Sequence, residues 1–105
     1  MHPIVWVGGS KNDVKGFPAD ARRDAGFQLS KVQHSKDPDD WKPMGAIGAG
    51  VREIRIREHS GAFRIIYVVR FADAIYVLHA FQKKTQRTRA SDLELARERL
   101  RSIPR

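Results

Sequence analysis

The chain has 105 residues, 41% of them hydrophobic and including two Trp, two Tyr and five Phe; this is material for one core but not two, so a single domain spanning 1–105 is expected and a disordered tail is excluded. Twenty Lys and Arg against twelve Asp and Glu leave a net charge of +8 and a pI near 10.5. There is no cysteine, which excludes disulfides, cysteine zinc sites and thiol nucleophiles.

Arg exceeds Lys by 13 to 7, and Arg suits bidentate contact with phosphate and stacking on bases. A small basic domain of this kind points to nucleic acid, with an acidic protein as the other partner that would answer the charge. No run of 18 apolar residues exists, so no membrane-spanning helix is expected. The opening MHPIVWVGGS lacks the basic region of a signal peptide, and a cytoplasmic location is expected.

In chain order, Ile4 to Val7 reads as a brief strand ended by Gly8 and Gly9. Ser10 to Lys15 reads as a short helical turn stopped by Gly16. A second helix begins at Phe17-Pro18 and runs to about His34, with Ala21, Ala25, Leu29 and Val32 on its apolar stripe. Gly26 interrupts that helix, as a close neighbour would require. Ser35 to Gly50 reads as a loop anchored by Trp41, Met44 and Ile47.

Three strands follow, Val51 to Glu58, Phe63 to Phe71 and Ala74 to Gln82, joined by tight turns at Ser60-Gly61 and Ala72-Asp73. Those turns set Arg57 opposite Arg64, Arg55 opposite Ile66, Arg64 opposite Phe81, Ile66 opposite His79 and Val68 opposite Val77. One face then carries Ile54, Ile56, Phe63, Ile65, Tyr67, Val69, Tyr76, Leu78 and Ala80 and must be covered by helices. The other carries Arg55, Arg57, Arg64, His79 and Phe81, with Ile66, Val68 and Val77 between them. Ser91 to Glu94 forms a capping box opening a C-terminal helix, with Leu93, Ala96, Leu100 and Ile103 inward. The whole is an α+β domain, a mainly antiparallel sheet of about four strands with its helices on one face.

Arg57 beside Arg64 is a like-charge pair that an anion would relieve. Phe81 offers a stacking surface for a base, and Gln82, Lys83 and Lys84 leave the strand beside it. Arg for phosphate, an aromatic for a base, and His79, Lys83 or Lys84 for proton transfer suit RNA cleavage by the 2′-hydroxyl on its own phosphorus, a reaction that calls for neither metal nor cofactor. In purely structural terms Arg55 and Arg57 are ordinary solvated strand residues and His79 a residue of the sheet. Arg64, mid-strand in the centre of the sheet, is harder to explain that way. His2, His34, His59 and His79 show no metal-ligand spacing, and no nucleotide-binding loop or hydrolase motif occurs.

The run from about Asp13 to Arg105 resembles the phage-derived HigB-like branch of the RelE/ParE toxin superfamily. The matching residues are Asp13-Val14-Lys15-Gly16-Phe17-Pro18, Gly48-Ala49-Gly50-Val51-Arg52-Glu53-Ile54, Phe63-Arg64-Ile65-Ile66-Tyr67 and Val77-Leu78-His79-Ala80-Phe81-Gln82-Lys83-Lys84-Thr85, the last string being specific to that branch. The resemblance implies a microbial RNase-like fold and ribosome-dependent mRNA cleavage in the A site. It also implies neutralisation by a cognate antitoxin, often a helix-turn-helix protein, in a toxin–antitoxin hetero-oligomer. It assigns Arg64 to the scissile phosphate, Lys83 and Lys84 to the basic end of the last strand, and Arg55 and Arg57 to positions where the family carries basic residues. Several RelE-type toxins bring a C-terminal Tyr to the site; this chain ends Ser102-Ile103-Pro104-Arg105. The competing readings are a ParE-like inhibitor of DNA gyrase and a basic nucleic-acid-binding module.

Overall fold

The computed structural model describes residues 1–71 and 74–104. Its elements are β1 (Ile4–Trp6), α1 (Ser10–Lys15), α2 (Ala19–Gln33), β2 (Trp41–Pro43), β3 (Arg52–Glu58), β4 (Gly61–Arg70), β5 (Ala74–Lys83) and α3 (Ala90–Arg101). They form an α+β domain around a sheet of order β1-β5-β4-β3-β2, in which β1 runs parallel to β5 and all other neighbours are antiparallel. Among the described residues no helix is long and apolar enough to cross a membrane.

The sheet has five strands where about four are read from the sequence. The addition is β2, inside the stretch expected to be a loop. Trp41 pairs with Ile54 and Pro43 with Arg52, and the Arg52 guanidinium lies 3.9 Å from the centre of the Trp41 ring. Pro43, which has no N–H to give, is tolerated because β2 is an edge. Met44 and Ile47 are buried as anchors of the turn that follows, and a Cβ at Gly48 would lie 2.5 Å from Leu100, so this turn packs directly on α3.

The stripe of α2 is buried as its spacing requires: Ala21, Ala25, Leu29 and Val32 pack with Phe17 on Ile54, Ile56, Phe63, Ile65, Tyr67, Ile75 and Val77. Gly26 faces open space, so no close neighbour accounts for it. The helices do not all share that face, however. Ala96 and Ile103, with Leu93 and Leu100, pack on Ile66, Val68, Leu78 and Tyr76 on the opposite side of the sheet. Two cores therefore sandwich the central strands. The capping box of α3 is not formed: Arg89 is the N-cap, without a side-chain cap, and Asp92 turns its carboxylate elsewhere.

Two register corrections matter for the site. The β3–β4 pairing sets Glu58 opposite Gly61, so the turn is His59-Ser60, and every pair shifts by two from the Ser60-Gly61 expectation. Arg55, not Arg57, lies opposite Arg64; Arg57 lies opposite Ala62 and Glu53 opposite Ile66. An even shift leaves each side chain on its face, because alternation has period two.

Between β4 and β5, Arg64 opposite Phe81 and Ile66 opposite His79 hold. The register then slips between Ile66 and Tyr67, so that Tyr67 meets Val77 and Val68 meets Tyr76 in place of Val77. Leu78 is the extra residue, a bulge on β5. This odd shift moves Tyr76 and Leu78 off the α2 side and brings Val77 onto it. The expected turn at Ala72-Asp73 lies outside the described residues.

Candidate functional site

Three cross-strand rows on the α3 side of the sheet carry the polar residues. The first is Lys42–Glu53–Ile66–His79, the second Arg55–Arg64–Phe81, and the third Arg57–Ala62–Lys83. The α3 helix covers the apolar part of this face, leaving the second and third rows at its margin. Of the sequence candidates, the sheet brings together Arg55, Arg64, Phe81 and Lys83, with Arg57 exposed beside them.

Arg64 is only 7% exposed. Its Nη1 donates to the Phe63 carbonyl at 3.0 Å, and its Nε lies 3.4 Å from Glu53 Oε1. Arg55 Nε approaches the same oxygen at 3.6 Å. The Glu53 carboxylate is fully buried, and among the described residues neither of its oxygens has a hydrogen-bond partner. Two arginines thus share one buried carboxylate by charge rather than by well-made hydrogen bonds, an expensive arrangement that persists only while the charges offset one another. Burial, and after it the neighbouring Arg55, lowers the pKa of Arg64, with Glu53 opposing.

Lys83 is half-buried at the end of β5. Its pKa is lowered from the ordinary lysine value first by burial and then by Arg64, with Lys42 and Arg55 adding to the effect and Glu53 opposing it. A lysine so placed gives up its proton more readily than a solvated one, which is what a general base at neutral pH requires. Lys84, one residue on, is exposed.

Two candidates stand apart. Gln82 pairs with Phe63 and so points to the α2 side. Its amide donates to the Ser60 carbonyl at 3.5 Å, and it borders a shallow groove of about 360 Å³ with Asn12, Asp13, Phe17 and the edge of Phe81. His79 does share the Arg64 face but is 6% exposed. Its Nε2 lies 2.8 Å from Asp92 Oδ1 and its Nδ1 3.4 Å from Asp13 Oδ2, while its ring stacks on Phe81 at 5.1 Å.

Sequence reasoning missed two members. Glu53 was legible from parity alone, since it alternates with Arg55 and Arg57 on one strand face. Lys42 carried no signal, because the strand that places it opposite Glu53 was read as loop.

A family described as "Phage derived protein Gp49-like (DUF891)" matches residues 12–101. No curated protein matches the chain. Among solved structures, the free-state structure of a double-arginine mutant of the E. coli toxin RelE covers 98% of this chain and 98% of its own, with a TM-score of 0.63 at 14% sequence identity. At that identity the likeness establishes the fold.

Proposed function

The chain belongs to the phage-derived Gp49-like family, and from that membership, its RelE-like fold and the arginine–lysine site we propose that it is the toxin of a type II toxin–antitoxin pair, of the HigB-like branch, acting as an mRNA endoribonuclease on the ribosome. The observation that carries the reading is Arg64, a nearly buried guanidinium in mid-sheet beside a lysine of lowered pKa and a half-buried aromatic ring.

In this mechanism Arg64 and Arg55 meet the scissile phosphate and neutralise the charge that builds on the phosphorane. Lys83 takes the proton from the 2′-hydroxyl as its oxygen bonds to phosphorus. The bond from phosphorus to the 5′-oxygen breaks, leaving a cyclic phosphate, and the exposed Lys84 supplies the proton that makes the 5′-hydroxyl. Phe81 stacks on a flanking base, holding the nucleotides in line, and Arg57 meets a neighbouring phosphate. The cytoplasmic partners are mRNA in the ribosomal A site and a cognate antitoxin, of the helix-turn-helix kind, whose co-expression restores growth.

Primer extension on RNA from cells expressing the chain alone decides the matter. Growth arrest with cuts inside codons is expected. Arg64→Lys keeps the charge that Glu53 needs but loses the bidentate fork, and should lower cleavage by about 10²–10³-fold with a nearly unchanged melting temperature. Intact transcripts accompanied by gyrase-linked DNA breaks would replace this reading with the ParE-like one.

A further inference from the structure

We propose that His79 is a positioning residue and carries no proton in the reaction: a clamp of Asp13, His79, Asp92 and Arg99 fixes the ring of Phe81 on which the RNA base stacks. The inference rests on the nuclease reading above and replaces the expectation that His79 is an acid or base.

The geometry leaves the imidazole little else to do. Both ring nitrogens face protein carboxylates, Asp92 at 2.8 Å and Asp13 at 3.4 Å, so neither is turned toward the open face where a 2′-hydroxyl would sit. What the ring does present to that face is its plane, stacked on Phe81 at 5.1 Å and 22°. One side of Phe81 is therefore seated on His79, and its partly exposed remainder is left for a base.

Around His79 on β5 the clamp is held from two helices. Asp13 comes from α1, and Asp92 from the first turn of α3, where it is available because it is not engaged in a cap. Arg99, near the other end of α3, donates from Nη1 both to Asp13 at 3.0 Å and to the Leu78 carbonyl at 2.9 Å, the carbonyl of the bulge residue. A Cβ at Gly8 would lie 2.8 Å from Arg99 Nε, and Gly8 has φ +55°, so a glycine in the β1–α1 loop is what lets this side chain through. The connected set joins α1, β5 and α3 and ends on a single phenyl ring. Its hydrogen bonds run from His79 to Asp92 and from Arg99 to Asp13 and the Leu78 carbonyl, while His79 Nδ1 faces Asp13 without one.

The test uses the whole protein carrying fluorophenylalanine, with the Phe81 resonance assigned through Phe81→Leu, together with cleavage kinetics on programmed ribosomes. Asp92→Asn and Arg99→Lys keep polarity and size. Both should shift or broaden the Phe81 line and raise KM about tenfold, the scale of one impaired base stack, while the pH profile of kcat keeps its shape. His79→Phe, which stacks but has no ring nitrogen, should keep most of kcat, and His79→Ala with Phe81→Ala should lose no more than Phe81→Ala alone. A collapse of kcat in His79→Phe with loss of one limb of the pH profile would make His79 a proton carrier and overturn the inference, as would an unmoved Phe81 line. A wild-type protein that cuts no RNA would sink the nuclease reading alone, since the Phe81 line judges the clamp without substrate.

Discussion

Glu53 is the residue on which the site balances. It is completely buried and lies within 3.4 and 3.6 Å of two guanidinium nitrogens, so it neutralises a like-charge pair that strand pairing would otherwise oppose. Removing the carboxylate leaves Arg64 nearly buried and uncompensated; Glu53→Gln should therefore lower unfolding stability by about 3 kcal/mol, read from denaturant midpoints at constant slope. Lys83 gives a second outcome, on activity. Its pKa is lowered by burial and by Arg64, so its neutral, proton-accepting form appears at lower pH than in a solvated lysine. The cleavage rate should rise with pH and level off below the ordinary lysine range. Lys83→Arg, protonated throughout, should be slow and nearly flat with pH; a wild-type profile in that variant would remove Lys83 from the base role. Alternation on one strand was enough to place Glu53 with Arg55. Its burial was not legible, because β2, the strand that flanks it and sets Lys42 opposite Glu53, was read as loop.

At the scale of elements, the two hairpin errors differ in kind. The β3–β4 turn is His59-Ser60 rather than Ser60-Gly61, and the shift of two left every face intact, so the partners of the arginines changed but their company did not. On β5 the bulge at Leu78 is a shift of one, and it reversed Tyr76, Val77 and Leu78. Nothing in a run of alternating apolar residues marks where an extra one is inserted; here the Leu78 carbonyl is bound by Arg99 from a helix 21 residues on. The β3–β4 turn is tied down by Asp20, at the start of α2, which accepts from the Ser60 hydroxyl at 2.6 Å. That bond, with backbone contacts adding to it and burial opposing it, holds the Asp20 pKa below the usual carboxylate value. A carboxylate with a depressed folded pKa adds stability above its unfolded value and loses it as pH falls through the folded one. Urea titrations from neutral to acid pH should show Asp20→Asn less stable than wild type at neutrality, the two curves converging in acid; a constant gap would contradict the assignment.

For the molecule as a whole, the α+β class, three helices and the central hairpins were legible because apolar stripes and strand alternation agreed. The side on which α3 packs was not, since an amphipathic helix declares that it is buried without declaring against what. Both faces of β4 are apolar over most of its length, and two clusters share them. That sandwiching confines the charged residues to one margin of the sheet, where the acid among them has a thermodynamic consequence for binding. A polyanion gains affinity by expelling the small ions condensed along it, one for each phosphate met by a cation that brings no anion of its own. Arg55 and Arg64 already share one inside the fold. The plot of log affinity against log salt for single-stranded RNA should therefore be shallower than the number of basic residues at the margin suggests, and Glu53→Gln should steepen it by about 0.7, so that this buried carboxylate tunes how sharply ionic strength governs RNA capture.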